Sequence, residues 1–336
     1  MADQVRIGIL GAARIAPQAI TGPARKVPRA VVTAIAARNP QRAKTFASKH
    51  HIPRVFTSYD ELLADPDLDA VYIPLPNGLH CAWALKALEA GKHVLCEKPF
   101  ASNAAEAEQM AEAAERSGKV VMEAFHYRYH PLARRMKEVV TSGQLGKIRH
   151  IETWICFPLP LFNDIRYRYD LAGGALMDAG CYAVNMLRLL AGSEPEVMRA
   201  QAKLASPQVD RAMRADMRFA DGSTGRITCS MWSKTILRIA ARVVGDEGEM
   251  TVLNPLMPSL YHHLKIRTQA GTRTERFSRE ATYVYQLRAF IDNILDGTPV
   301  LTSPADALAN MRVIDAIYEK AGLWLRGRKE AVLPTA

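Results

Sequence analysis

Between Val5 and Phe125 the chain keeps repeating one alternation, a short apolar run followed by a helical stretch. The runs are "VRIGIL", "AVVTAIAAR", "DAVYIPLP", "HVLCEK" and "VVMEAF"; the stretches between them include "ARIAPQAITGPARKV", "NPQRAKTFASKHH", "YDELLADPD", "HCAWALKALEAG" and "NAAEAEQMAEAAERSG". Strands separated by helices of about 10–15 residues imply crossover connections, and hence a parallel, doubly wound sheet. Helices cover both faces of such a sheet, so its strands need no polar alternation, and these runs have none. The helix ends carry their own punctuation. Asn39 is placed to cap a helix beginning at Pro40, and Gly91 and Gly118 close two others.

Beyond Phe125 the texture changes. "PLARRMKEVVTSGQLG" reads as one more amphipathic helix. Then come segments with the period of half-exposed antiparallel strands: "IRHIETWICF", "EVMRAQAKLA", "RAMRADMRFADGSTGRITCSM", "LRIAARVVGDEGEMTVL" and "HHLKIRTQ". The Asp-Gly of "FADGSTGRI" supplies hairpin geometry. Two further helices, "TYVYQLRAFIDNILDG" and "DALANMRVIDAIYEKAG", complete the chain. At 336 residues it is about twice the usual domain size. The expected division is residues 1–124, an α/β domain with a parallel sheet, and residues 125–336, an α+β domain with an open, mostly antiparallel sheet.

The net charge of +10 admits an anionic ligand. The basic residues are dispersed, however, and no helix-turn-helix or zinc pattern accompanies them, which argues against nucleic acid as a partner. Five scattered cysteines, Cys81, Cys96, Cys156, Cys181 and Cys229, suggest neither a disulfide framework nor a metal site. No apolar run approaches the roughly 18 residues of a membrane span, and "MADQVRIGIL" leads straight into a strand. A cytoplasmic protein without a membrane partner is expected.

The segment "GILGAARIA" stands where a dinucleotide-binding fold has its first turn. In the G-x-G-x-x-G/A frame the matching positions are Gly11, Ala13 and Ala16, with Arg14 and Ile15 between them. Ala13 departs from the frame, since a glycine there lets backbone approach a pyrophosphate. The second run ends in Arg38 rather than in an acid, with Arg42 one turn on. A guanidinium there suits a ribose 2′-phosphate, so NADP is favoured over NAD; a solvated arginine is the plainer alternative. The carboxyl ends of the next two runs should flank the same ligand. They supply Leu75, Pro76, Asn77 and His80, then Glu97 and Lys98. Pro99 stops the strand and leaves Lys98 at its rim, while Glu97 is placed to pair with a neighbour or orient the ribose.

"AGGALMDAGCYAVNMLRLLAG" reads as a helix from near Ala175 to before Gly192. Asp178 and Tyr182, four apart, share a face that Asn185 extends. Gly173-Gly174 allows backbone to come close to a ligand. A tyrosine beside a lysine makes an acid/base pair in which the ammonium lowers the phenol pKa. Taken singly, Tyr182 also reads as an amphipathic core residue and Asp178 as a helix-start carboxylate.

At these residues the sequence resembles the Gfo/Idh/MocA family of NAD(P)-dependent sugar and polyol oxidoreductases. The resemblance rests on "GILGAARIA", "LPNGLH" leading to "AGKHVLCEKP", "MEAFHYRYHP", "GGALMDAGCY" and "SPADALANMRVIDAIYEKAG", which together span nearly the whole chain. It implies a Rossmann domain and assigns Lys98 a catalytic or cofactor-orienting role, with Asp178 and Tyr182 in acid/base and substrate contacts. Many members have histidine where Tyr182 stands; the tyrosine form is more similar to the dihydrodiol dehydrogenase, D-xylose dehydrogenase and glucose–fructose oxidoreductase branches. The resemblance further implies an arginine reaching the cleft ahead of the double glycine, Arg166 with Arg168 as the alternative. It also implies assembly as a homodimer or homotetramer through the second sheet.

The expected activity is hydride transfer between a nicotinamide and a secondary alcohol or ketone of a sugar, cyclitol or related polyol. Tyr182 and Lys98 exchange the hydroxyl proton, and Asp178 binds a neighbouring hydroxyl or holds Lys98. His126, Tyr127, Arg128 and Asn185 complete the expected substrate contacts. The rival readings are an NADP-binding sensor without turnover and a ketoreductase acting on nucleotide-linked sugars.

Overall fold

The structure, a computed structural model, describes residues 4–327. Six strands form the first sheet: β1 (Val5–Leu10), β2 (Ala30–Ala36), β3 (Arg54–Phe56), β4 (Ala70–Ile73), β5 (His93–Cys96) and β6 (Val121–Glu123). They are all parallel, in the order β3-β2-β1-β4-β5-β6. The order reverses between β1 and β4, which opens a crevice at the carboxyl edge. Every residue of β4 is buried, as expected of a strand covered on both sides. Two details depart from the expected pattern. The helix after β1 is a wide π turn at Pro17–Thr21 followed by a single α turn at Gly22–Ala24. β3 is too short, at three residues, to register in the sequence periodicity.

The second sheet has eight strands: β7 (Ile148–Cys156), β8 (Glu196–Ser206), β9 (Val209–Arg218), β10 (Thr224–Ser230), β11 (Arg238–Gly245), β12 (Gly248–Leu253), β13 (His263–Thr268) and β14 (Gly271–Glu275). Their order is β14-β13-β12-β11-β7-β10-β9-β8. All pairings are antiparallel except β10 on β7. The Asp-Gly turn joins β9 to β10, with Gly222 at φ +84° and the Asp221 carboxylate accepting from the Ser223 amide at 2.9 Å. One face of this sheet packs on the helix Cys181–Ala191, whose Val184, Met186 and Leu187 are fully buried. The other face carries cross-strand ion pairs such as Arg242–Glu249–Arg267 and Arg226–Asp216.

Late in the sequence the chain returns to the first sheet. The helix Thr282–Asp296 lays Tyr283, Val284, Leu287, Phe290 and Ile291 against Val5, Ile7 and Ile9 of β1 and Tyr72 of β4. Arg29, just before β2, anchors its far end to Asp292 and Asp296. The last helix, Pro304–Lys320, packs on the helix Ala104–Ser117 and on β8. Among the described residues no helix is long and apolar enough to cross a membrane, and all five cysteines are buried and free.

Candidate active site

The carboxyl edge of the parallel sheet opens into a cleft of about 2020 Å³ whose far wall is built by the second sheet. At its near end Gly11 leaves β1 with φ +112°, and its amide donates to Ala36 O at 2.7 Å. A Cβ there would sit 3.1 Å from Leu75 Cδ2, so conformation and space both call for glycine. Ala12, Ala13, Arg14 and Ile15 line the cleft beyond it, while Ala16 is fully buried.

The end of β2 supplies the charge. Arg38 and Arg42 are exposed and line the cleft, together with Lys44, which the sequence reading passed over. The Asn39 side chain caps the helix Pro40–His50 by accepting from the Arg42 amide at 3.1 Å. Arg42 Nη2 donates to Ala12 O at 3.1 Å and so ties that helix to the turn after β1. None of the three cations faces a carboxylate within ion-pair distance among the described residues. A positive-φ turn over a sheet switch point, beside three cations not paired with a carboxylate, fits a dinucleotide with a phosphorylated ribose.

Leu75, Pro76 and Asn77 line the opposite side. Asn77 Nδ2 donates to Ala172 O at 3.1 Å and bridges to the second half of the chain. His80 does not flank the cleft as expected. It is fully buried, with its ring nitrogens 2.8 Å from Pro99 O and from Leu75 O. It clamps two cleft loops from beneath, because the helix it opens turns its first residue toward the sheet.

At the far end Lys98 lies over Asp178 and Tyr182. Its Nζ donates to Asp178 O at 2.8 Å and to Asp178 Oδ1 at 3.2 Å, and stands 4.9 Å from the centre of the Tyr182 ring. Arg166 Nε reaches Asp178 Oδ2 at 3.3 Å, and its Nη1 reaches Asp164 Oδ1 at 3.1 Å. Arg166 is therefore the arginine of this end; Arg168 pairs with Asp170. Burial pulls the Lys98 ammonium down, but the Asp178 carboxylate outweighs it and leaves the pKa raised. For Asp178 burial acts upward, and Lys98 and Arg166 together hold the carboxyl below its ordinary value.

Tyr182 corrects one expectation. Its phenol is pushed well above 10, first by burial and then by Tyr283 and Glu97. Lys98 directs its donors at Asp178, so the ammonium does not override desolvation of the phenol. The ring packs edge-on to Phe125, with centroids 5.1 Å apart. His126 lines the cleft beside it and hydrogen-bonds Thr282 Oγ1 at 2.7 Å. Burial, and then Lys98, lower its imidazole to about 3, which leaves it neutral.

Tyr127, Arg128 and Asn185 do not line the cleft. Tyr127 is fully buried and donates to Asn185 Oδ1 at 2.7 Å; Arg128 shares that oxygen at 3.3 Å and pairs with Asp306 at 3.2 Å. They form a polar layer beneath the site, because the 3-10 turn His126–Tyr129 presents only its first residue to the cleft. Glu97 points its carboxylate at the Tyr72 hydroxyl, 2.7 Å away, and burial raises its pKa. The turn after Lys98 is held by Glu123, whose Oε1 accepts from the Phe100 amide at 2.8 Å; burial and then Asp306 carry this carboxyl to about 8.

The double glycine serves a different contact from the one expected. A Cβ on Gly173 would meet Arg166 O at 2.6 Å, and one on Gly174 would meet Asp210 Oδ1 at 2.2 Å. The pair lets the chain pack against the Arg166–Arg168 backbone and the buried Arg326–Asp210 ion pair, 3.0 Å long. That packing fixes the π turn Leu176–Gly180, which carries Asp178. Tyr283 and Thr282 were also missed, since they arrive from a helix 100 positions beyond Tyr182 and no local pattern marks them.

Known proteins share both the family and the fold of this chain. Residues 5–125 match the oxidoreductase family with an NAD-binding Rossmann fold, Gfo/Idh/MocA, and residues 133–251 match a Gfo/Idh/MocA C-terminal domain. A D-xylose 1-dehydrogenase (NADP(+)) of Haloferax volcanii is 36% identical over 94% of this chain and 96% of its own. A trans-1,2-dihydrobenzene-1,2-diol dehydrogenase of Sus scrofa is 34% identical over 75% of each. A 3-ketoreductase of Actinomadura kijaniata, solved with NADP and TDP-benzene, superposes with a TM-score of 0.87 at 29% identity over 94% of this chain and 98% of its own. That ketoreductase has also been solved with substitutions at a lysine and at a tyrosine. A fold, a nucleotide-binding edge and a match over both halves lead to one conclusion: the chain belongs to the Gfo/Idh/MocA family of NAD(P)-dependent oxidoreductases.

Proposed function

We propose that the protein is an NADP-dependent dehydrogenase or reductase acting on a secondary alcohol or ketone of a sugar, cyclitol or related cyclic polyol. The observation that carries the reading is the Lys98–Asp178–Tyr182 cluster at the far end of a dinucleotide cleft. The turn Gly11–Ile15 and the loop Leu75–Asn77 would hold the dinucleotide, with Arg38, Arg42 and Lys44 on the 2′-phosphate. When bound, the nicotinamide supplies or accepts the hydride.

Tyr182, kept protonated by burial, is suited to give its proton to a carbonyl oxygen and to take it back in the reverse direction. The Lys98 ammonium, fixed on Asp178, faces the ring and favours the phenolate that the transfer creates. Asp178 holds both Lys98 and Arg166 and so sets the lysine's position. In the related ketoreductase the substituted lysine and tyrosine are separated along the chain by the same interval as Lys98 and Tyr182, which supports this pairing.

The test is nicotinamide absorbance with NADP⁺ and, in parallel, NAD⁺, over pentoses, hexoses, inositols and a trans-dihydrodiol. Turnover stronger with NADP⁺ is expected, with a loss of about a hundredfold or more in Tyr182→Phe. Binding of NADPH without turnover of any member would leave the sensor reading in its place. The charged, uncovered face of the second sheet is the contact expected between copies, to be checked by light scattering. Five free, buried thiols suit a reducing compartment such as the cytoplasm.

A further inference from the structure

The far wall of the cleft has a composition that the acid/base cluster does not explain. It is made by Ile155 at the end of β7, Phe157 just beyond it, Ile239 at the start of β11, and Leu256 and Met257 after β12. Ile155 and Ile239 are direct cross-strand partners. Period two in the strands produces this wall, since odd positions of β7 and β11 face the cleft side. Their even neighbours, Glu152, Arg238 and Arg242, go to the opposite face, where Arg238 covers the Trp154 ring at 3.6 Å.

The cations at this end are already engaged. Arg166 is shared between Asp164 and Asp178, Arg168 is paired with Asp170, and Lys98 is bound to Asp178. Arg14, almost fully exposed, leans toward Asp164 at 3.8 Å. The cations without a carboxylate partner among the described residues, Arg38, Arg42 and Lys44, sit at the opposite end, on the dinucleotide side. A diphosphate placed at the reacting end would thus meet a hydrocarbon wall and cations whose charge Asp164, Asp170 and Asp178 already balance, an unfavourable exchange for its hydration.

We propose that Ile155, Phe157, Ile239, Leu256 and Met257 form a specificity wall for a substrate that is polar on one edge and hydrocarbon on the other. Such a substrate is an uncharged cyclic diol, or a sugar with a deoxygenated, alkyl or aryl edge. The inference rests on the reading of the cleft as an oxidoreductase site and names the substrate class within it. The hydroxyl edge faces Lys98, Asp178 and Tyr182, where the carbinol C–H hydride passes to the nicotinamide and the O–H proton passes to the Tyr182 phenolate, the phenol having first released its own proton to solvent. The hydrocarbon edge covers the wall and expels its water.

The full chain with NADP⁺ is assayed on trans-cyclohexane-1,2-diol, phenyl β-D-xyloside and D-xylose. Binding of the diol, D-xylose and dTDP to the NADPH-loaded protein is measured by calorimetry. The wall predicts kcat/KM at least about tenfold higher for a substrate with a hydrocarbon edge than for D-xylose, and weak dTDP binding. Ile239→Thr and Met257→Gln, two half-buried positions chosen to spare the fold, should each shrink that ratio several-fold. Equal kcat/KM for all substrates, or dTDP binding more tightly than the diol, would overturn the proposal. Diol binding that exceeds D-xylose binding, with no turnover of anything, keeps the wall and rejects the oxidoreductase reading instead.

Discussion

The two ends of the cleft are both rich in charge, yet they are built on opposite plans. At the dinucleotide end Arg38, Arg42 and Lys44 are exposed, and no carboxylate answers them. At the reacting end Lys98 and Arg166 are balanced by Asp178 and Asp164 within 3.3 Å in a half-buried layer over Tyr182. Exposed, unpaired cations attract a mobile anion and are screened by salt. A buried, mutually satisfied cluster attracts little but holds its members in fixed positions. On the function proposed above, one end would recruit and the other orient.

The sharpest way to break this contrast is at Lys98. Lys98→Met should lower turnover by about 10²–10⁴-fold while NADPH binding, read by fluorescence, is largely kept. A large loss of NADPH affinity with little effect on turnover would make Lys98 a recruiting residue after all. Arg38→Ser tests the other end. It should raise KM for NADP⁺ by roughly tenfold and leave kcat and the NAD⁺ reaction nearly unchanged, as loss of one charge-assisted contact predicts. In the parent protein KM for NADP⁺ should also rise with ionic strength, whereas kcat should not.

A smaller effect concerns pH. The Glu123 carboxyl, which holds the turn after Lys98, titrates near 8 in the fold, above its ordinary value. A raised folded pKa means that the native state binds the proton more tightly than the unfolded chain does. The stabilisation is therefore complete at acid pH and is lost as pH rises toward about 8. Melting temperature should fall across that window in the parent protein and fall less in Glu123→Gln. An identical pH dependence in the two would remove Glu123 from the account. Smallest of all, Asn39→Ala should cost about 1 kcal/mol through the lost cap on Arg42 N and weaken NADP⁺ binding without changing kcat.

What the sequence made legible follows the same division. The dinucleotide end is encoded locally, by a turn after one strand and the first helical residues after the next, so Gly11, Arg38 and Arg42 stood out. Lys98, Asp178 and Tyr182 were legible through strand-end position and four-residue spacing. Their electrostatics were not, because burial by Tyr283 and Phe125 sets the Tyr182 phenol and both arrive from elsewhere in the chain. Tyr127, Arg128 and Asn185 were misplaced for a related reason. Adjacency to His126, or a shared helix face, does not say which side of a short 3-10 turn meets the cleft. His80 shows the same limit, as a polar residue at a loop end whose two ring nitrogens are consumed by main-chain carbonyls.

The returning helix Thr282–Asp296 also bears on how the protein is made. Its buried residues complete the packing on one side of β1, the central strand of the first sheet. A ribosome that has finished all six strands still has about half of the chain to synthesise before Phe290 and Ile291 can cover that surface. Until then the nascent sheet carries an uncapped apolar face, the kind of surface that chaperones engage and that drives aggregation. A fragment ending near Phe125 should therefore be poorly soluble on its own, although it contains the whole Rossmann sheet.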